Sequence, residues 1–349
     1  MREVVCVTGG TGFVGAHSVA AILLAGHRVR LLVRDGSAVR PALEPLGIPT
    51  EAISGAVELV EGDVRDEEAV ARAVRGADTV LHAAGVYSFD PRRRGDLART
   101  NESGTATVLE QARRLGVRRT VHVSTVGALF PASGPLDADT PVGSVGEPYL
   151  ASKAAAERVA RRHQDEGDPV VITYPPALLG PNDPRIGDQT GRLRDTLRGL
   201  TPIWPAGGFP LGDVRDTAAL HASLVGGAGP GRYFGPGRYV LTGEYLETLR
   251  AVTGRRLPAV RLPAKALLPV GAFAGALQRV WPWHIPAEYG AILTCACATP
   301  VRATAPTGGA DARPLAETLV DTVSWLHRAG LITDRAAGRV ADREAVAAH

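Results

Sequence analysis

Residues 8–15, Thr8-Gly9-Gly10-Thr11-Gly12-Phe13-Val14-Gly15, restrict what this chain can fold into more than any other stretch. A short β-branched run, Val4-Val5-Cys6-Val7, precedes them and reads as a strand buried on both faces. From Phe13 to Ala25 the apolar residues (Phe13, Val14, Val19, Ala20, Ile22, Leu23, Leu24) suit a helix laid on a sheet. Gly26 stands where a glycine ends a helix, and His27 to Val33 supplies a second strand. The first forty residues therefore predict a strand–helix–strand unit whose tight first turn is almost bare of side chains.

That turn matches Gly-x-x-Gly-x-x-Gly at 9, 12 and 15, and Gly-x-Gly-x-x-Gly at 10, 12 and 15. A backbone without Cβ atoms admits a pyrophosphate, and the helix N-terminus offers it free N–H groups and a partial positive charge. With strand and helix on either side, dinucleotide binding is the reading, against an ordinary glycine-rich βα turn. Arg34 directly follows the second strand and suits a ribose 2′-phosphate, hence NADP; Asp35 beside it would instead hold the 2′-hydroxyl of NAD. Asp63, after a third strand, would either accept from the adenine amino group or cap the helix beginning near Asp66.

Alternation continues. Strands are predicted at 57–60, 79–84, 120–124 and 170–173, with helices at 67–74, about 101–115 and 149–162 between them. This is the pattern of an α/β fold, a Rossmann-type doubly wound parallel sheet. After Tyr174, prolines and glycines cluster and the regularity is lost. Residues 1–175 are therefore expected to form the dinucleotide-binding domain, with 213–242 returning to it. Residues 176–212 and 243–334 would make a smaller substrate-binding domain, and 335–349 a tail. The segment Leu262 to Ile292, rich in Trp, Pro and Leu, suits either an apolar substrate or the core of that domain.

Of 349 residues 45% are hydrophobic and 21% charged, enough apolar material for a packed core. Lys plus Arg number 39 against 36 acids, with no basic block longer than Arg92-Arg93-Arg94, so a nucleic-acid partner is not expected. Three cysteines (Cys6, Cys295, Cys297) make no disulfide framework, and no His or Cys stands at zinc spacing from the last two, so no metal site is predicted. No run of 18 apolar residues exists, and the chain enters a strand within a few residues of Met1, so neither a membrane span nor a signal peptide is read. A cytoplasmic location is the expectation.

Only two of the 39 basic residues are lysines, Lys153 and Lys265, and the first lies four residues after Tyr149. That spacing puts phenol and ammonium on one helix face, where the ammonium would lower the phenol pKa toward neutrality and make Tyr149 a proton donor and acceptor. A surface i,i+4 pair is the plainer alternative. Ser124 and Thr125 end the fifth strand, and either hydroxyl could steady a substrate carbonyl oxygen.

In this order, the Thr8–Gly15 loop, Gly62-Asp63, Leu81-His82-Ala83-Ala84-Gly85, Thr100-Asn101, Ser124-Thr125, Tyr149-x-x-x-Lys153, and Tyr174-Pro175-Pro176 through Gly180-Pro181 resemble the extended short-chain dehydrogenases/reductases. More narrowly, the chain resembles the NAD-dependent epimerase/dehydratase group and its dihydroflavonol-4-reductase-like members, over about residues 3–330. The resemblance implies that Tyr149 is the general acid/base and Lys153 its partner and a ribose ligand. Thr125 stands where the catalytic serine is usual, with Ser124 beside it, and Asn101 would support the proton-relay helix. For the cofactor it implies Gly9, Thr11, Gly12, Phe13, Val14 and Gly15 at the phosphates, with Arg34, Asp63 and Val64 around the adenosine. Ala83, Ala84 and Gly85, at the end of the fourth strand, would also contact the cofactor, and Lys153, Pro175, Ala177 and Leu178 would surround the nicotinamide.

The leading expectation is an NADP(H)-dependent oxidoreductase that interconverts a ketone or aldehyde with an alcohol on an apolar small molecule, with NAD as the other cofactor. A nucleotide-sugar epimerase or dehydratase on the same scaffold is the alternative. Sugar 4,6-dehydratases of the resembled superfamily carry Asp-Glu after the catalytic threonine, whereas Val126-Gly127 follow here. A non-enzymatic NADP-binding protein is the third reading, and the retained Tyr149/Lys153 pair argues against it. A homodimer is compatible with the resemblance.

Overall fold

The computed structural model describes residues 2–227, 231–278, 289–302 and 311–342. Strands β1 (Val4–Thr8), β2 (Arg28–Val33), β3 (Val57–Glu61), β4 (Thr79–His82), β5 (Arg119–Val123), β6 (Val170–Tyr174) and β10 (Gly231–Phe234) form one seven-stranded sheet in the order β10-β6-β5-β4-β1-β2-β3. Every pairing in it is parallel. Parallel strands need a crossover between them, and helices α1 (Phe13–Leu24), α2 (Glu67–Val74), α3 (Gly104–Arg114), α4 (Pro148–Asp165) and α5 (Val214–Leu224) supply the long ones.

Two apolar layers result, because successive strand residues face opposite sides. Val5 and Val7 join Val19, Ile22, Leu220 and Leu224 of α1 and α5 on one side. Cys6 joins Val70, Ala73, Val108 and Ala112 of α2 and α3 on the other. Gly26, at φ +87°, ends α1 in the left-handed conformation expected of it. The order reverses at β1, whose neighbours are β2 and β4, and a doubly wound sheet opens a crevice beyond the carboxyl ends of such strands.

The second half builds smaller units. Strands β7 (Ala177–Leu179), β9 (Gly208–Asp213) and β11 (Arg238–Leu241) form a three-stranded sheet, and β8 (Ile203–Ala206) pairs with β12 (Val260–Pro263). Within 213–242, α5 and β10 join the large sheet, whereas β11 lies antiparallel to β9 in the small one. A separate core gathers Leu193, Trp204, Leu211 and Val240 with residues of α6 (Thr242–Thr253) and α9 (Leu315–Arg328). Between them α7 (Ala264–Leu277) packs along α8 (Tyr289–Cys297). Of the Leu262–Ile292 segment, residues 279–288 lie outside the described residues, as do 343–349 of the expected tail.

Candidate active site

At the first turn Gly9 adopts φ +74°, a conformation that costs an ordinary residue about 1–2 kcal/mol. A Cβ on Gly9 would also lie 2.6 Å from the Ala84 nitrogen and 2.7 Å from the Ala83 carbonyl carbon. One on Gly15 would run into the Gly9 carbonyl oxygen. Gly12 is the N-cap of α1 with no side chain capping the helix, and no acid stands in the first turn. The first-turn N–H groups thus lack a side-chain acceptor above a backbone with no Cβ in the way, which fits a diphosphate. Thr11, Phe13 and Val14 are half-buried around it.

Strand β4 is fastened to β1 at this point. Ala83 N donates to Thr8 O (3.1 Å) and Ala84 N to Thr8 Oγ1 (3.2 Å), and Thr8 Oγ1 is 2.7 Å from His82 Nδ1. His82 Nε2 meets Thr105 Oγ1 (3.0 Å), which donates to the Asn101 carbonyl (2.6 Å). Thr8, His82 and Thr105, which the motifs do not single out as site residues, thus link the phosphate turn to Asn101.

Asn101 is buried in a π-helical turn, Ala98–Ser103, where the expected continuous helix over 101–115 is interrupted. Its Oδ1 accepts from Val86 N (2.8 Å), and its Nδ2 donates to Val86 O (3.0 Å) and Ser152 Oγ (2.9 Å). Ser152 in turn donates to the Tyr149 carbonyl (2.7 Å). One side chain thereby ties the loop after β4 to the helix carrying Tyr149.

Helix α4 starts on Glu147, whose carboxylate accepts from Leu150 N (2.8 Å), with Pro148 at the first helical position. Tyr149 and Lys153 are both buried, each 9% exposed. Burial holds the Tyr149 phenol well above its ordinary 10, reinforced by Tyr87, Glu147 and Asp188, while a hydrogen bond with Thr125 pulls the other way. This reverses the expected direction. The ring is walled by Tyr87 (centroids 4.7 Å, 82°) and Phe89 (5.6 Å, 88°), and Lys153 Nζ donates to the Val123 carbonyl (3.1 Å). Burial also brings Lys153 down to about 8, against the upward pull of Glu157.

Of the two hydroxyls, Thr125 is the one that meets Tyr149; it also accepts from Gly127 N as cap of the Val126–Leu129 turn. Ser124 Oγ is enclosed, with no hydrogen-bond partner among the described residues. Pro175 O accepts from Val126 N (3.1 Å), which fixes Pro175 beside the turn after β5, while Ala177 and Leu178 pair with β9 in the small sheet.

Just beyond β2, Arg34 and Asp35 are exposed. Asp35 accepts from Ser37 N (2.9 Å) and Ser37 Oγ (2.6 Å), bonds that hold its carboxyl below the usual range. Asp63 does not cap α2: Asp66 does, accepting from Glu68 N and Ala69 N. Asp63 instead grips Arg65 with both oxygens (2.8 and 2.9 Å), while Val64 is buried against Gly104.

Sequence reasoning missed Tyr87 and Phe89. Their signal was available, two aromatics one residue apart just beyond β4 in a chain only 5% aromatic. The thiols form no metal cluster among the described residues, and burial pushes Cys6 up to about 12 and Cys295 and Cys297 to about 11.

Known proteins resemble this chain in sequence and fold. Sterol demethylase protein B of Methylococcus capsulatus is 30% identical over 279 residues, covering 78% of this chain and 81% of that one. A putative dihydroflavonol 4-reductase of Synechocystis is 34% identical over 63% of this chain and 62% of its own. Among solved structures, gox2253 superposes with a TM-score of 0.73 at 27% identity, over 95% of this chain and all of that one. The dTDP-glucose 4,6-dehydratase DesIV of Streptomyces venezuelae, solved with NAD bound, gives 0.63 at 28% identity over 74% of this chain and 84% of its own. The NAD dependent epimerase/dehydratase family model matches residues 5–207, and this chain belongs to that family, as an oxidoreductase-type enzyme of the extended short-chain dehydrogenase/reductase class.

Proposed function

We propose that the protein reduces a ketone or aldehyde carbonyl on an apolar small molecule, with NADP(H) as its cofactor. The observation that carries this reading is the meeting of Tyr149 and Thr125 beyond the end of β5, within a wall of aromatic rings. The substrate carbonyl oxygen would accept from the Thr125 hydroxyl and the Tyr149 phenol. A phenol held above pKa 10 is protonated at neutral pH, and a proton donor is what carbonyl reduction requires. Lys153, cationic below about 8, would stabilise the phenolate left after donation and hold the ribose. The bound nicotinamide nucleotide supplies the hydride. Arg34 would meet the 2′-phosphate, a reading favoured because Asp35 already spends its carboxylate on Ser37.

Sugar dehydration is disfavoured by the turn after Thr125. Val126 is buried and Gly127 has no side chain, so no carboxyl pair is at hand there for a second proton transfer. An apolar substrate is supported by Tyr87, Phe89 and Leu293 around Tyr149, and by the sterol in a relative's name.

The test is Tyr149→Phe assayed for NADPH-dependent reduction of a panel of apolar ketones. Turnover should fall by about 10²–10⁴-fold, with NADPH binding by fluorescence little changed. Retained turnover would remove Tyr149 from the reaction.

A further inference from the structure

Helix α7 (Ala264–Leu277) is apolar on both sides, yet among the described residues only one side has a partner. Ala264, Leu267, Gly271 and Ala274 are buried, and Gly271 lets α8 approach so closely that a Cβ there would lie 3.0 Å from Tyr289 Cα. The opposite face presents Val270, Phe273 and Leu277 at 53, 72 and 37% exposure, with Ala266, Pro269, Ala272 and Ala276 also exposed. Val260 and Leu262 of β12, 59 and 38% exposed, continue it. A lone exposed phenylalanine needs no explanation, but a stripe at i, i+3 and i+7 along one helix does.

Charge in this segment is one-sided. Between Glu247 and Glu288 the sequence contains no acidic residue, in a chain where acids and bases otherwise nearly balance. Lys265, in the first turn of α7, is the helix's one charged residue, and Arg261 on β12 lies just before it; both are exposed. Cations at one end of an apolar helix face match a bilayer bearing anionic headgroups: the cations meet phosphates and the apolar stripe enters the acyl boundary. A second copy docked on the same face would bring no acid from this segment to answer those cations. At about 21 Å, fourteen residues of helix can lie on a membrane, and among the described residues no helix is long and apolar enough to cross one.

On its inner side α8 runs to the candidate site. Leu293 packs with Val86, Tyr87 and Phe89 against Tyr149, and a Cβ on Gly290 would strike the Phe89 ring. We propose that the outward face of α7, with Arg261 and Lys265, is an interfacial docking surface for anionic lipid bilayers, placing one helix layer between the membrane and the wall of the candidate site. The surface stands whichever reaction the site performs.

The test is co-sedimentation of the full-length protein with phosphatidylcholine vesicles, with and without phosphatidylglycerol. The protein should pellet with the phosphatidylglycerol vesicles and less so at high salt. Val270→Glu and Phe273→Glu, exposed positions whose change should leave the melting temperature unaltered, should each weaken partitioning about tenfold. Lys265→Glu should weaken binding to the anionic vesicles alone. No pelleting, or pelleting equal in the glutamate variants, would overturn the proposal. So would a wild-type dimer in light scattering that Phe273→Glu dissociates, since a second copy would then cover the face.

Discussion

Replacing Asn101 by alanine tests how the wall around Tyr149 is held. The side chain is 2% exposed and makes three hydrogen bonds, two with the Val86 backbone and one with Ser152. Truncation leaves the Val86 N–H and C=O without that partner, and Ser152 keeps only its own bond to the Tyr149 carbonyl. At about 1 kcal/mol net for each neutral hydrogen bond, the loss is about 3 kcal/mol. If it falls on the closed position of the loop after β4, the open form gains about a hundredfold, since 1.36 kcal/mol is a factor of ten. Tyr87 and Phe89, whose edges meet the Tyr149 ring, ride on that loop. Ser152→Ala removes two bonds, one from Asn101 and one to the Tyr149 carbonyl, and spares both Val86 bonds, so its cost should be nearer about 2 kcal/mol. The Thr105 bond to the Asn101 carbonyl survives in both variants because it uses main chain. Thermal unfolding together with kcat/KM for an apolar ketone reads the outcome. Asn101→Ala should melt lower and lose at least about tenfold in kcat/KM, with Ser152→Ala between it and wild type. An Asn101→Ala protein matching wild type in both would refute the claim that these bonds hold the wall.

Arg34→Ala should cut kcat/KM for NADPH by about 10–100-fold, the worth of a charge-assisted contact with a dianion, and leave NADH nearly unchanged; equal losses with both would exclude Arg34 as the phosphate contact. Glu157, buried one turn beyond Lys153, accepts from Tyr174 Oη (2.7 Å) and Arg161 Nε (2.8 Å) while pulling the ammonium pKa up. Without that charge Lys153 falls below about 8, so the alkaline limb of the kcat/KM–pH profile of Glu157→Gln should move about one unit to lower pH; an unmoved limb would discount the pair. His82 and His122, which also face Lys153, stay neutral across that range, since burial takes His82 to about 3 and His122 well below its usual value. Between about 8 and 10.5 the unfolded chain binds more protons at Lys153 than the folded one, so this group alone makes the native state gain stability as pH rises through that window.

Much of the frame was legible because its signals are local. The Gly9–Gly15 turn, the apolar runs of β1 and β2 and the glycine at 26 each act within a few residues, and their periods are those of strand and helix. The three-stranded sheet was not legible: β7 and β9 are joined by pairing across a proline- and glycine-rich stretch with no period to read.

Chemistry types were determined by the sequence alone: which residues can donate a proton, carry an ammonium or leave a backbone bare for phosphate. Tertiary structure decided what those groups experience. Parallel pairing of β1, β4 and β5 brought Thr8, His82 and Asn101 into one chain of bonds across as many as 74 residues. Burial raised a phenol that spacing alone would have lowered, because desolvation acts through everything that surrounds a group, and an i,i+4 neighbour is only one part of that surrounding.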